Sequence, residues 1–240
     1  VTAVQFTIVA VAVFAASCMQ ASIGFGMGML AAPVVALVDP TLVPGIIIML
    51  ATVLTLVVVV KERSSIDLRG TGWALVGRVP GTLAGAGILL LLPPRGLAIL
   101  LACVVLGGVA AASVGWAPRP HRRNLVVAGA ASGLFGTATS IGGPPMALVM
   151  QRSVGANLRG TMSAFFLVGS IMSLIVLAVT GAVHRDTAEM FLILVPVAVL
   201  GYVASRFVNR VLDRERMRRT SIVVSAAGAV VLVGQQLFLL

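Results

Sequence analysis

The sequence predicts an all-α polytopic membrane protein made of two inverted repeats, each with one broken, re-entrant helical hairpin and three full spans. Three observations carry this. The 240-residue chain is 59% apolar and only 10% charged, against roughly 25% charged for a soluble domain. Two glycine- and proline-rich interruptions sit inside long apolar stretches at corresponding places in the two halves. Finally, the basic residues collect in loops that such a topology brings to one face.

The first interruption runs Gly24-Phe25-Gly26-Met27-Gly28 and on to Pro33; the second runs from Gly136 through Thr137, Thr139, Ser140, Gly142 and Gly143 to Pro144 and Pro145. Superposing Gly24 on Gly136 puts Pro33 on Pro145, an offset of 112 residues. A second pair, Pro80 and Gly85, recurs as Pro196 and Gly201 at an offset of 116. Lipid offers no water to a broken helix, so irregular backbone at membrane depth survives only against protein or a wet cavity. Paired breaks in two halves point to a transporter's binding site.

Apolar runs near 42–60, 71–92, 96–117, 160–183, 187–207 and 220–240 each approach the ~20 residues that cross a bilayer. The stretches 3–38 and 124–151 hold the interruptions and read as pairs of shortened arms that return to the side they entered from. The N-terminus has no basic region before its apolar run, which therefore reads as a retained span rather than a signal peptide.

Charge supports the returning hairpins. With them, segments 61–69, 119–123, 152–159 and 206–219 share one face, with Arg78 slightly deeper in a helix that enters from it, and only Arg95 and Arg185 lie opposite. The positive-inside rule makes this face cytoplasmic, with Trp73 and Trp116 at its interface and both termini outside. Residues 1–117 form the first repeat, 118–123 a cytoplasmic linker and 124–240 the second repeat. The net charge of +10 is thereby assigned to topology and anionic headgroups, not to nucleic acid, since no basic domain stands apart from the membrane.

Helix starts near mid-membrane would turn unpaired N–H groups inward and suit an anion. The candidate binding residues are Gly24, Phe25, Gly26 and Gly28 in the first break and Thr137, Thr139, Ser140, Gly142 and Gly143 in the second. Gln20, Ser22 and Gln151 are further polar candidates. Thr52 and Thr55, with Thr161 and Ser163 in the matching span, either line the same cavity or bond back to their own helices. Arg78 lies inside its span and is either an anion attractor or a side chain snorkelling to the interface. Gly77, Gly81 and Gly85 form a small-residue face suited to helix packing.

No Asp, Glu or His sits mid-span, whereas proton-coupled pumps usually keep such a residue in the membrane. Cys18 and Cys103 read as packing residues, His121 and His184 as loop residues. No metal site, cofactor or catalytic set is expected.

In its paired Gly24-to-Pro33 and Gly136-to-Pro145 segments, its two-half layout and its length, the chain resembles the sulfite exporter TauE/SafE family of bacterial permeases. The family's glycine-rich run leading to a proline is only partly kept in Gly26-Met27-Gly28-Met29, and Pro144 stands where a third glycine is common. The resemblance covers essentially the whole chain. It implies outward movement of sulfite or a small organosulfur anion across the inner membrane, in contact with lipid, with homo-oligomerisation left open. Transport of another small anion, uptake of a sulfur compound and a non-transporting membrane subunit are the alternatives. A membrane enzyme lacks a candidate nucleophile or acid/base pair.

Overall fold

The computed structural model describes residues 2–113, 118–181 and 185–211. The expected last span at 220–240, the basic segment 212–219, Trp116 and His184 lie outside the described residues. Those described form nine α-helices and two single 3₁₀ turns, without a strand. The helices are α1 (Ala3–Ile23), α2 (Met27–Val38), α3 (Gly45–Lys61), α4 (Leu68–Leu91), α5 (Pro94–Ser113), α6 (Arg122–Thr139), α7 (Gly143–Val149), α8 (Gly155–Val179) and α9 (Arg185–Val211). By length and composition, α1, α4, α8 and residues 186–207 of α9 are able to cross a membrane, while α2, α3 and residues 95–108 of α5 are shorter apolar helices. Large apolar side chains such as Val4, Leu83, Ile175 and Leu192 face outward, and Ser17, Gln20, Thr55, Arg78 and Ser132 are buried. A surface of this kind belongs in lipid. The chain is a helical, multi-pass membrane protein.

Two features of α1 and α2 were not legible beforehand. The arms of the first interruption are unequal: α1 has 21 residues and α2 only 12, so α1 is not shortened. The same holds in the second half, where α6 has 18 residues and α7 has 7. The breaks also align differently. α1 ends at Ile23 and α2 begins at Met27, while α6 ends at Thr139 and α7 begins at Gly143. Both boundaries therefore repeat at an offset of 116, the spacing of the Pro80 and Pro196 pair. Gly136 lies within α6, and the equivalent of Gly24 is Ser140. Both adopt left-handed backbone, with φ of 86° and 59°.

Glycine sets the closest helix approaches. A Cβ on Gly77, Gly81 or Gly85 of α4 would strike the carbonyls of Val126, Ala130 or Leu134 on α6. From the other side, a Cβ on Gly129 would strike the Ala74 carbonyl. The two backbones thus meet directly, and α4 packs more extensively on α6 than on any other helix. α9 approaches α1 in a similar way: Gly201 abuts the Phe14 carbonyl, and Cys18 Sγ lies 3.0 Å from the Gly201 carbonyl oxygen. α3 and α8 pack against each other, α4 also packs on α8, and α9 on α3.

Three of the basic segments meet at one end. Arg159 at the start of α8 donates to Glu62 Oε1 after α3, at 2.7 Å from NH2 and 3.2 Å from Nε. Beside this pair, Asn157 Nδ2 donates to the Ser65 carbonyl and the Asp67 N–H to Thr161 Oγ1, each at 3.0 Å. Arg122 at the start of α6 lies 3.7 Å over the Trp73 ring of α4. α6 and α8 both begin at this end.

Replacing Gly81 with leucine should open the α4–α6 seam and destabilise the protein by about 1–3 kcal/mol, the usual range for overpacking. Gly72→Leu is the control, since it lies on the exposed side of α4 with no atom near its Cβ position. Thermal unfolding in detergent should lower the midpoint for the first variant and leave it unchanged or raised for the second.

Candidate functional site

Both breaks open onto one cavity holding about 480 Å³ of empty space, its open mouth included. Phe25, Gly26, Met27, Gly28 and Met29 line it from the first break, and Ser140, Ile141, Gly142 and Gly143 from the second. α3 contributes Ile47, Ile48 and Ala51, α8 contributes Phe166 and Ser170, and α4 contributes Arg78. Gln20 and Gly136 complete the wall.

The breaks touch because they lack side chains. A Cβ on Gly28 would strike the Ser140 carbonyl, and one on Gly143 would sit 2.9 Å from Phe25 Cδ2. Gly26 begins α2 at φ 125°, a conformation that L side chains rarely adopt, and faces the end of Met19. Gln20, buried in α1, accepts the Met27 N–H at 2.9 Å through its side-chain oxygen and so caps α2 across the break. The next N–H groups of α2, on Gly28 and Met29, precede Leu30, whose N–H is the first to donate within the helix turn, to the Gly26 carbonyl at 3.2 Å. α7 differs: it begins Gly143-Pro144-Pro145, and the two prolines bring no N–H.

Arg78 is only 3% exposed. Its NH1 donates to Ser132 Oγ at 3.1 Å, and Ser132 Oγ donates to the Gly142 carbonyl at 2.6 Å. One hydroxyl thus ties the cation on α4 to the backbone of the second break. The guanidinium carbon lies 4.8 Å from the Phe165 ring centroid and 5.6 Å from that of Phe166. Gly169 leaves the room it occupies, since a Cβ there would overlap Arg78 Nε. Nε has no hydrogen-bond partner among the described residues, nor is Arg78 ion-paired there. Buried in this way, Arg78 points into the protein and not toward an interface.

The remaining candidates fall outside the cavity wall. Gly24 packs 3.1 Å from the Arg159 backbone by its Cβ position. Thr137 Oγ1 pairs with Ser173 Oγ at 2.8 Å, and Thr139 Oγ1 bonds back to the Phe135 carbonyl at 2.7 Å. Thr52 Oγ1 lies 2.7 Å from the Ile48 carbonyl and 2.9 Å from Ser170 Oγ, so it reaches the wall only through Ser170. Thr161 is occupied with the Asp67 N–H at the basic end. Thr55 and Ser22 bond back to Ala51 and Cys18, Ser163 is buried elsewhere and Gln151 is exposed. Sequence reasoning missed Ser132, Ser170, Phe166 and the α3 residues. Only Ser132 left a signal: it shares the face of α6 that carries Gly129, Gly133 and Gly136.

No group of three or more His, Cys, Asp or Glu side chains lies at metal-binding range among the described residues. The fold and this chamber fit a membrane transport protein, with one buried cation in a mostly apolar wall among the described residues. The chain belongs to the sulfite exporter TauE/SafE family of membrane transporters, whose family model matches residues 9–232. No curated protein and no solved structure matches it.

Ser132→Ala should leave the Gly142 carbonyl and one Arg78 donor unpaired and destabilise the protein by about 1–3 kcal/mol. Ser22→Ala, which removes only a bond back to its own helix, should cost less. Chemical unfolding of the two variants side by side gives the comparison.

Proposed function

We propose that this protein exports sulfite or a related small organosulfur anion across a bacterial inner membrane by alternating access around the cavity. The observation that carries this is Arg78, a buried cation without an ionic partner among the described residues, in the wall where the two breaks meet. A guanidinium in that state favours an anion with several acceptor oxygens. The α2 N-terminus adds Gly28 and Met29 N–H groups and the positive end of a helix dipole. On this reading Phe25, Gly26, Gly28, Arg78, Ser140, Gly142 and Gly143 face the anion, with Gln20 and Ser170 beside them. Gly24, Thr52, Thr137, Thr139 and Thr161 hold the surrounding helices.

The moving parts are two inverted repeats. The common offset of 116 for breaks and prolines supports this, as does the exchanged packing in which α4 lies on α6 and α9 on α1. The basic end is cytoplasmic by the positive-inside rule, which puts both termini outside. The inside-negative potential then drives export, at about 2.3 kcal/mol per elementary charge per 100 mV.

Sulfite efflux from proteoliposomes tests this. It should rise several-fold when the potential is set from zero to negative on the cytoplasmic side. Gly28→Leu, which drives a side chain into the second break, should abolish it. Absence of sulfite and organosulfonate flux from wild-type protein that elutes as a folded species would refute the proposal.

A further inference from the structure

Among the described residues the cavity carries a single fixed charge, and its wall is mostly apolar. Arg78 is the only ionisable side chain among the residues that line it. Of its donors, NH1 is engaged by Ser132 while Nε has no partner among the described residues. Two phenyl rings and the Gly169 backbone flank the guanidinium. Around it stand Phe25, Ile47, Ile48, Ala51, Ile141 and Phe166.

We infer that the cavity selects anions bearing one negative charge and an apolar flank, so that the loaded site is electrically neutral. This rests on the anion-transport reading above and adds the charge and hydration class of the cargo. A monovalent anion pairs with Arg78 and leaves no net charge in the apolar surroundings. A divalent one would bury a second charge with no partner, and an isolated buried charge is strongly disfavoured. Hydration acts in the same direction. A compact dianion gives up a tightly held water shell, which one guanidinium and a few N–H groups do not replace. An anion with a methyl or methylene group puts that group against isoleucine and phenylalanine instead. Neutrality of the loaded form has an electrical consequence. The loaded protein moves no charge when it reorients, while the empty protein carries the Arg78 charge, so the potential acts on the empty return.

Methanesulfonate and sulfate separate the cases, since both hold their charge over the whole neutral range. With purified wild-type protein, methanesulfonate should raise the unfolding midpoint at concentrations at least about tenfold below those at which sulfate does, because a ligand stabilises the form that binds it. Arg78→Gln should abolish the methanesulfonate effect, and Arg78→Lys should retain it at higher concentration. In proteoliposomes, anion exchange should be insensitive to potential while net efflux is not. Equal or stronger stabilisation by sulfate, with sulfite flux intact, would overturn this inference and leave the exporter reading standing. Methanesulfonate-selective stabilisation without any flux would do the reverse. No stabilisation by either anion would also overturn it.

Discussion

An arginine buried without a carboxylate among the described residues is the constraint on which the rest of the structure turns. At the centre of a membrane helix a charged side chain costs about 2.5–3.5 kcal/mol even on the most lenient scale. Here the cost is offset locally. Ser132 accepts from NH1, two phenyl rings face the guanidinium, and Gly169 and Gly136 make room for it. The compensation is incomplete, since Nε is left unmatched among the described residues. On the proposed reading an incoming anion offsets the rest, which would link fold to function.

The helix breaks and glycine faces put the charge in the wall of the cavity. Left-handed backbone at Gly24 and Ser140 ends α1 and α6, and the shorter arms α2 and α7 begin three residues further on, beside one another. The α4–α6 seam fixes Arg78 against the second break, because glycines on both helices let their backbones meet. Ser132 then transmits any movement of the Gly142 carbonyl to the guanidinium. The two halves do not offer the same chemistry, however. α2 starts with N–H groups, whereas α7 starts with two prolines, so the donors come mainly from the first half and the cation from α4.

Within the described residues, the apolar helices and the two interruptions were legible because glycine, proline and apolar run length act locally. The register between halves was less so: aligning glycine with glycine placed Gly136 at the break, whereas the backbone puts Ser140 there, since a serine is able to take the left-handed conformation usually left to glycine. Among the candidate hydroxyls only Ser140 reaches the cavity wall. Whether Thr137 or Thr139 turns inward is decided by the rotation of α6 against α4 and α8, which no short motif encodes. The same holds for Ile47, Phe166 and Ser170, ordinary residues that become lining only through packing. Arg78 stood between two readings in sequence, and its burial against α6 and α8 argues against snorkelling.

The most direct test of the central claim is to locate a bound anion. Selenite is a close analogue of sulfite, and selenium scatters strongly enough to be placed without ambiguity in a crystal of the protein. The account predicts a selenium peak inside the cavity, with selenite oxygens within hydrogen-bond distance of Arg78 and close to the Gly28 and Met29 N–H groups. A peak confined to the basic end, near Arg122 or Arg159, with Arg78 satisfied by a protein carboxylate, would contradict it.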